Sequence, residues 1–228
     1  MKQEKQMSDS IRLGILLALS GGFMDAYSYL CRNHVFANAQ TGNILLFGVN
    51  LSQQNYKAAL QYLCPILSFT IGIILSDLIR HSWKEISLLH WRQISVLIEA
   101  VILLWVGFIP AGYNLLANSL TSLSCGIQVE SFRKIHGNGI ATTMCIGNLR
   151  SGTENLCNYF FEKKKEDLKK GLLYYGIILC FISGAVVGST AIGYLHEKAI
   201  MICSVILFIT FLLMFINNRK YKIWGSSY

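Results

Sequence analysis

Apolar residues fill most of the chain in long blocks, separated by short polar breaks. Blocks of about 20 residues without a polar face match the hydrocarbon thickness of a bilayer. In order, they predict helices at 13–30, 58–79, 94–109, 115–132, 171–195 and 199–216. Two other stretches, 35–49 and 140–156, are shorter and mix apolar residues with Asn, Gln, Thr and Gly. The pattern predicts an all-α integral membrane protein with about six transmembrane helices and two short interrupted or re-entrant helical segments.

The pattern also repeats. Residues Gly21 to Asn43 read GGFMDAYSYLCRNHVFANAQTGN, and Gly126 to Asn148 read GIQVESFRKIHGNGIATTMCIGN. Laid together without a gap, Gly21, Asn33, Gly42 and Asn43 meet Gly126, Asn138, Gly147 and Asn148. Asp25 then meets Glu130. Residue types that stay in step across a break in the apolar pattern imply a duplication. The division that follows is a cytoplasmic tail at 1–12, a first membrane repeat at 13–110, a second at 111–216 and a basic tail at 217–228.

Composition agrees: 53% of residues are hydrophobic and 14% are charged. Two prolines and 19 glycines suit closely packed helices better than loops. The net charge of +8 resides between and beyond the blocks, so it reads as a topology signal. No nucleic-acid partner is implied. The seven cysteines are scattered without metal-ligand spacing, which predicts neither a zinc site nor disulfides. The first block lacks a small-residue cleavage site and reads as an uncleaved span.

Charge also arbitrates the topology. If both short segments cross the membrane, lysines and arginines fall on both faces. If both dip in and return, all but Arg32, Lys57 and Lys198 of the 20 share one face. The positive-inside rule favours the second layout, with both termini in the cytoplasm of a plasma-membrane protein. Each half then has an odd number of spans, so the halves are inverted relative to each other.

Polar, glycine-broken backbone at membrane depth must be buried in protein or line a wet cavity. That makes Asn38, Gln40, Thr41, Gly42 and Asn43, with Thr142, Thr143, Gly147 and Asn148, candidate ligands for a solute or ion. The bland alternative is hydrogen bonding between helices. Asp25, inside the first block, suits a proton acceptor or cation ligand, or else an interfacial acid helped by Arg12 or Arg32. Glu130 is its echo in the second half, or a helix partner of Arg133 and Lys134. Glu99 reads as an acid near the cytoplasmic interface, with a second intramembrane acid as the alternative. Arg150 could meet an anionic substrate, pair with Glu154 or snorkel. His34 and His136 read as loop residues. Gly184 and Gly188 have helix-packing spacing. Enzyme motifs are absent, and neither an enzyme nor a cofactor is predicted.

At these motifs the chain resembles the YoaK-like family of bacterial membrane proteins, a family of unknown function. The residues that carry the likeness are Gly22-Phe23, Asp25-Ala26, Phe36 and Thr41-Gly42-Asn43 in the first half. In the second they are Gly126, Gln128, Phe132-Arg133, Ala141-Thr142-Thr143 and Gly147-Asn148-Leu149-Arg150-Ser151. Gln128 joins the candidate site on this ground. Ile146 stands where the family often has Thr, and the position of Glu130 is not reliably acidic there. The resemblance implies a multi-spanning plasma-membrane protein. The expectation is a small-solute transporter or channel, proton-linked through Asp25, with the lipid bilayer, an unknown small solute and a second copy of itself as partners. A sensor or assembly protein is the alternative, and a membrane-embedded enzyme stands third.

Overall fold

The structure is a computed structural model that describes residues 10–82, 90–133 and 139–225. The N-terminal tail through Asp9, part of the basic loop at 83–89, His136 with its neighbours, and residues 226–228 lie outside the described residues. Everything regular that is described is helical. The helices are α1 (Ile11–Cys31), α2 (Gln40–Ser52), α3 (Tyr56–Ser82) and α4 (Trp91–Val106), then α5 (Asn114–Ser131), α6 (Cys145–Glu162), α7 (Lys165–Leu195) and α8 (Met201–Gly225). Short 3-10 turns cover Ala111–Tyr113 and His196–Ile200.

Three boundaries differ from the sequence reading. The short helices begin at Gln40 and Cys145, so residues 35–39 and 140–144 are non-helical connections that bend at Ala37-Asn38 and Thr142-Thr143. The lysine-rich loop is nearly absent: Lys165 already starts α7, whose first turn holds Glu166 and Asp167. Acidic groups are favourable there because they face the positive end of the helix dipole. The basic tail continues α8 as far as Gly225.

The molecule is apolar outside, and within it polar side chains share the core with a hydrophobic cluster that includes Leu17, Phe23, Met24, Val96 and Leu103. Leu67, Ile71, Ile74 and Leu78 of α3 are exposed, as are Leu172, Leu179 and Val186 of α7. Buried positions include Ser20, Ser28, Ser76, Asn118, Thr121, Ser122, Ser124 and Gln128. Water would not stabilise that arrangement, whereas lipid would. Three stretches among the described residues are long and apolar enough to cross a bilayer: Ile11–Cys31, Tyr56–Ser82 and Lys165–Phe215. The last contains α7, the following turn and most of α8. Helix α5 is more polar because its Ser, Thr, Asn and Gln side chains point inward.

Residue pairs give the helix directions. Helix α1 packs on α7, with Leu19 against Gly184, Phe23 against Gly188, and the Tyr27 hydroxyl donating to the Glu197 carbonyl at 3.0 Å. The two run the same way. Helix α3 runs the same way as α5, with Gly72 on Gly126 and Ser76 bonded to Ser131 at 2.9 Å. Helices α1 and α5 oppose each other: Gln128 donates to the Leu17 carbonyl at 3.0 Å, while Asn118 donates to the Arg32 carbonyl at 2.6 Å. Helices α4 and α8 also oppose, with Ser204 on the Ala100 carbonyl and Gly107 against Met201.

Two of these packings share one geometry. A methyl on Gly22 would overlap the Phe181 carbonyl, and one on Gly184 would overlap the Leu19 carbonyl. Likewise Gly126 lies on the Phe69 carbonyl, and Gly72 on the Leu123 carbonyl. Each glycine faces the carbonyl one helical turn before its partner glycine. Backbones meet directly at both crossings, the arrangement that small residues permit between membrane helices. On a repeat reading, these crossings would pair Gly22, rather than Gly21, with Gly126, and Val129, rather than Glu130, with Asp25.

We expect Gly22→Ala and Gly72→Ala each to destabilise the protein by ~1–3 kcal/mol or more, because backbone must separate to admit a methyl. Gly48, in α2, has open space around it, so Gly48→Ala should stabilise by ~0.5–1 kcal/mol. Thermal unfolding of the detergent-solubilised variants checks the contrast.

Candidate functional site

After α1 the chain reverses at once. Asn33 and His34 adopt left-handed backbone, with φ of 63° and 56°. Asn33 tolerates that region better than most residues. The chain then runs back along α1. The Ala37 backbone N–H donates to the Ser28 hydroxyl at 3.0 Å, and the Asn38 N–H donates to Asp25 Oδ1 at 2.7 Å. Asn38 Nδ2 donates to the Gly21 carbonyl at 2.9 Å. Gly21 is the central residue of α1, so this segment reaches the middle of the helix before α2 turns outward.

The second segment reaches the same place. A methyl on Gly21 would meet the Thr142 carbonyl at 3.1 Å and Thr143 Cγ2 at 3.2 Å. Gln128 Nε2 donates to Thr142 Oγ1 at 3.1 Å. Helix α6 then leaves antiparallel to α7, with Gly152 on Tyr174 and Tyr175, and Leu156 on Gly171. The two segments thus converge on Gly21. Asn38, Thr142, Thr143 and Gln128 are buried there, and Asn38 Oδ1, Gln128 Oε1 and Thr143 Oγ1 have no hydrogen-bond partner.

One local device shapes both segments. Asn43 Oδ1 accepts from the Phe36 N–H at 3.1 Å, and its Nδ2 donates to the Phe36 carbonyl at 2.7 Å. Asn148 does the same with Ala141, at 3.1 and 2.6 Å. These asparagines close the turn into each short helix and have little left for a ligand. Gly42 leaves room for the Phe36 ring, 2.8 Å from where a Cβ would lie. Gly147 has open space, because Ala141 stands where Phe36 does. Neither Ala39 nor Met144 caps its helix with a side chain. The positive ends of α2 and α6 therefore both point toward the convergence.

The remaining candidates divide. Gln40 donates to the Ala37 carbonyl and accepts from Asn43. Thr41 is exposed. Asp25 is half-buried and also meets the N–H groups of Ala37 and Ala39, so its carboxylate holds the turn before α2 as well as facing the convergence. Glu130 lies apart, between Arg80 at 3.5 Å and Arg133 at 3.4 Å. It borders a cavity of about 360 Å³ lined by Phe132, Gly139, Ala141, Thr142, Thr143 and Met144 among others. That cavity touches the second segment but not the first. Arg150 is exposed and forms no ion pair among the described residues, with Glu154 included.

Two groups escaped the sequence reading. Arg32, expected in an outer loop, is fully buried. Its Nε donates to the Tyr27 hydroxyl at 2.8 Å, Nη1 to the Pro110 carbonyl at 3.2 Å and Asn114 Oδ1 at 3.0 Å, and Nη2 to the Ile109 carbonyl at 2.7 Å. It occupies the negative end of α4, where carbonyls lack helical partners. Glu99, expected near the interface, is also fully buried. A seven-residue repeat of polar positions, Asn118 to Cys125, would have marked the face of α5 opposite it. Nothing local marks Arg32.

An apolar exterior over this polar interior defines a multi-helix transmembrane protein. The chain belongs to the family described as protein of unknown function (DUF1275), whose pattern matches residues 13–213. It is 26% identical over 202 residues to the UPF0700 transmembrane protein YoaK of Bacillus subtilis (strain 168), covering 85% of this chain and 88% of that protein. No solved structure matches it.

Replacing Arg32 strands several buried carbonyls at once, each unsatisfied group costing ~1–3 kcal/mol. Arg32→Leu should lower stability by ~3 kcal/mol or more, and Arg32→Lys should recover only part of it, since a single ammonium does not span the same acceptors. Melting curves of the purified variants give the comparison.

Proposed function

We propose that the protein is a small-solute transporter or channel whose site lies where the two interrupted segments converge. One observation carries the reading. Two polar segments reach the middle of α1 and leave three buried polar atoms without partners there. In a membrane interior, unspent hydrogen-bonding capacity is costly unless a ligand or water takes it up. The uncapped starts of α2 and α6 favour a solute that accepts hydrogen bonds.

The helix directions support six crossings in two inverted halves. With α1 taken as outward, α3 returns, α4 goes out, α5 returns, α7 goes out and α8 returns. Helices α2 and α6 start and finish their excursions on one side. Helices α1 and α5, counterparts by their glycine crossings, oppose each other, as inverted repeats require. Burial of Arg32 removes it from the loop count and leaves Lys57 and Lys198 as the cations opposite the basic face. By the positive-inside rule both termini then face the cytoplasm of the plasma membrane.

A sensor or assembly protein is the second reading. What favours it is that Asn43, Asn148 and part of Asp25 serve the backbone. An enzymatic role has no group of side chains to recommend it.

Two experiments test these points. In a background without the native cysteines, Lys57→Cys should react with an impermeant maleimide from outside intact cells, and Lys84→Cys only after permeabilisation. The reversed pattern would establish eight crossings. In proteoliposomes screened with small polar solutes, Thr143→Val should reduce flux at least tenfold without lowering the melting temperature, and Asp25→Asn should reduce flux as much while lowering it, because the carboxylate also holds the turn before α2. Absence of flux and of ligand-induced stabilisation across the screen would sink the transport reading.

A further inference from the structure

Glu99 lies in the third turn of α4 with no exposed surface, and neither carboxyl oxygen has a hydrogen-bond partner. Its depth follows from the Arg32 cluster. That cluster holds Val106 of α4 level with Asn114 and Asn118 of α5. Since the two helices are joined by a short turn and run oppositely, going seven residues back from Val106 reaches Glu99, and going seven on from Asn118 reaches Cys125. Both lie about 10 Å further in. Glu99, Asp25 and Cys203 all lie near Cys125. Four helices, α1, α4, α5 and α8, therefore bring these side chains to one region. Cys125 Sγ meets Met24 Sδ at 3.7 Å, Cys203 Sγ meets the Ser20 carbonyl at 3.7 Å, and Ser204 bonds the Ala100 carbonyl beside Glu99 at 2.6 Å. Ser122 and Ser124 of α5 also keep unpartnered buried hydroxyls.

A bare carboxylate in such surroundings is an uncompensated charge, which proteins do not sustain without a partner. Among the described residues neither carboxyl oxygen meets a lysine, arginine or histidine: α5 brings Cys125, α8 brings Cys203, α1 brings Asp25, and Asp77 of α3 is engaged by Arg80 and His81. The ligand that removes the charge without needing room for coordination is a proton. Intramembrane acids of this kind mark proton pathways.

We propose that Glu99 is a proton-binding site in the interior of the bundle, a second acid beside Asp25 on the opposite side of Cys125. The inference deepens the transport reading, because it gives coupling to protons a residue that no solute touches. Glu99 takes up a proton when the interior is closed and releases it when water reaches it.

Infrared difference spectroscopy of the purified full-length protein in lipid, recorded as pH is raised, tests this directly. A buried carboxylic acid gives a carbonyl band well separated from amide absorption. The expected result is a band present at neutral pH, lost at higher pH and absent in Glu99→Gln, with Asp25→Asn leaving it in place. If Glu99→Gln fails to fold, Glu99→Asp keeps the acid and should shift the band. No such band, or a band unchanged up to the pH of unfolding, would overturn the proposal, since the group would be permanently ionised or permanently neutral. The measurement needs no solute. A titrating band without flux would leave this site standing and remove the transport reading, and flux without a titrating band would do the reverse.

Discussion

Everything in this molecule hangs on backbone touching backbone. At Gly22 with Gly184, and again at Gly72 with Gly126, two helices approach until carbonyls fill the space that side chains would take. Between lipid-facing helices there is no hydrophobic force to draw surfaces together, so contact area and close approach must do that work. The same approach places α1 and α5 where Gln128 reaches the Leu17 carbonyl and the two segments reach Gly21. Wider crossings would leave the polar residues between them without neighbours.

The polarity inversion follows from the same constraint. Once α1, α4, α5 and α8 enclose a polar interior, their outer faces are free to be purely apolar. Cysteines serve there as small residues: Cys125 and Cys203 are fully buried and lie against Met24 and Ser20. The hydroxyls of Thr70, Thr121, Thr190 and Thr210 return to carbonyls of their own helices, so they cost little in lipid.

Much of this was legible beforehand. Breaks in the apolar pattern located the two short segments, and the recurring Gly-Asn pair located the asparagine clamps. The length of the apolar blocks marked the long helices, because lipid imposes length and apolarity on each of them. What it hid was tertiary. Glycine spacing on α7 was visible, but its partner Gly22 lay in a run of two glycines, and only the crossing tells the two apart. Arg32 looked like an ordinary loop cation because nothing in its neighbourhood announces the end of α4. Glu99 was placed at an interface by its distance from Arg92, and only the packing of α5 and α8 over it reveals its burial.

The Arg32 cluster has a mechanical consequence. Each glycine crossing joins a helix from one half of the chain to a helix from the other, so the stiff blocks are α1 with α7 and α3 with α5, not the two halves. Arg32 ties these blocks together at one end, through Asn114 and the carbonyls just past α4, and Gln128 ties them again toward the other end, through the Leu17 carbonyl. Two blocks fastened at both depths resist being prised apart, so the spacing that the polar segments enter is held from above and below.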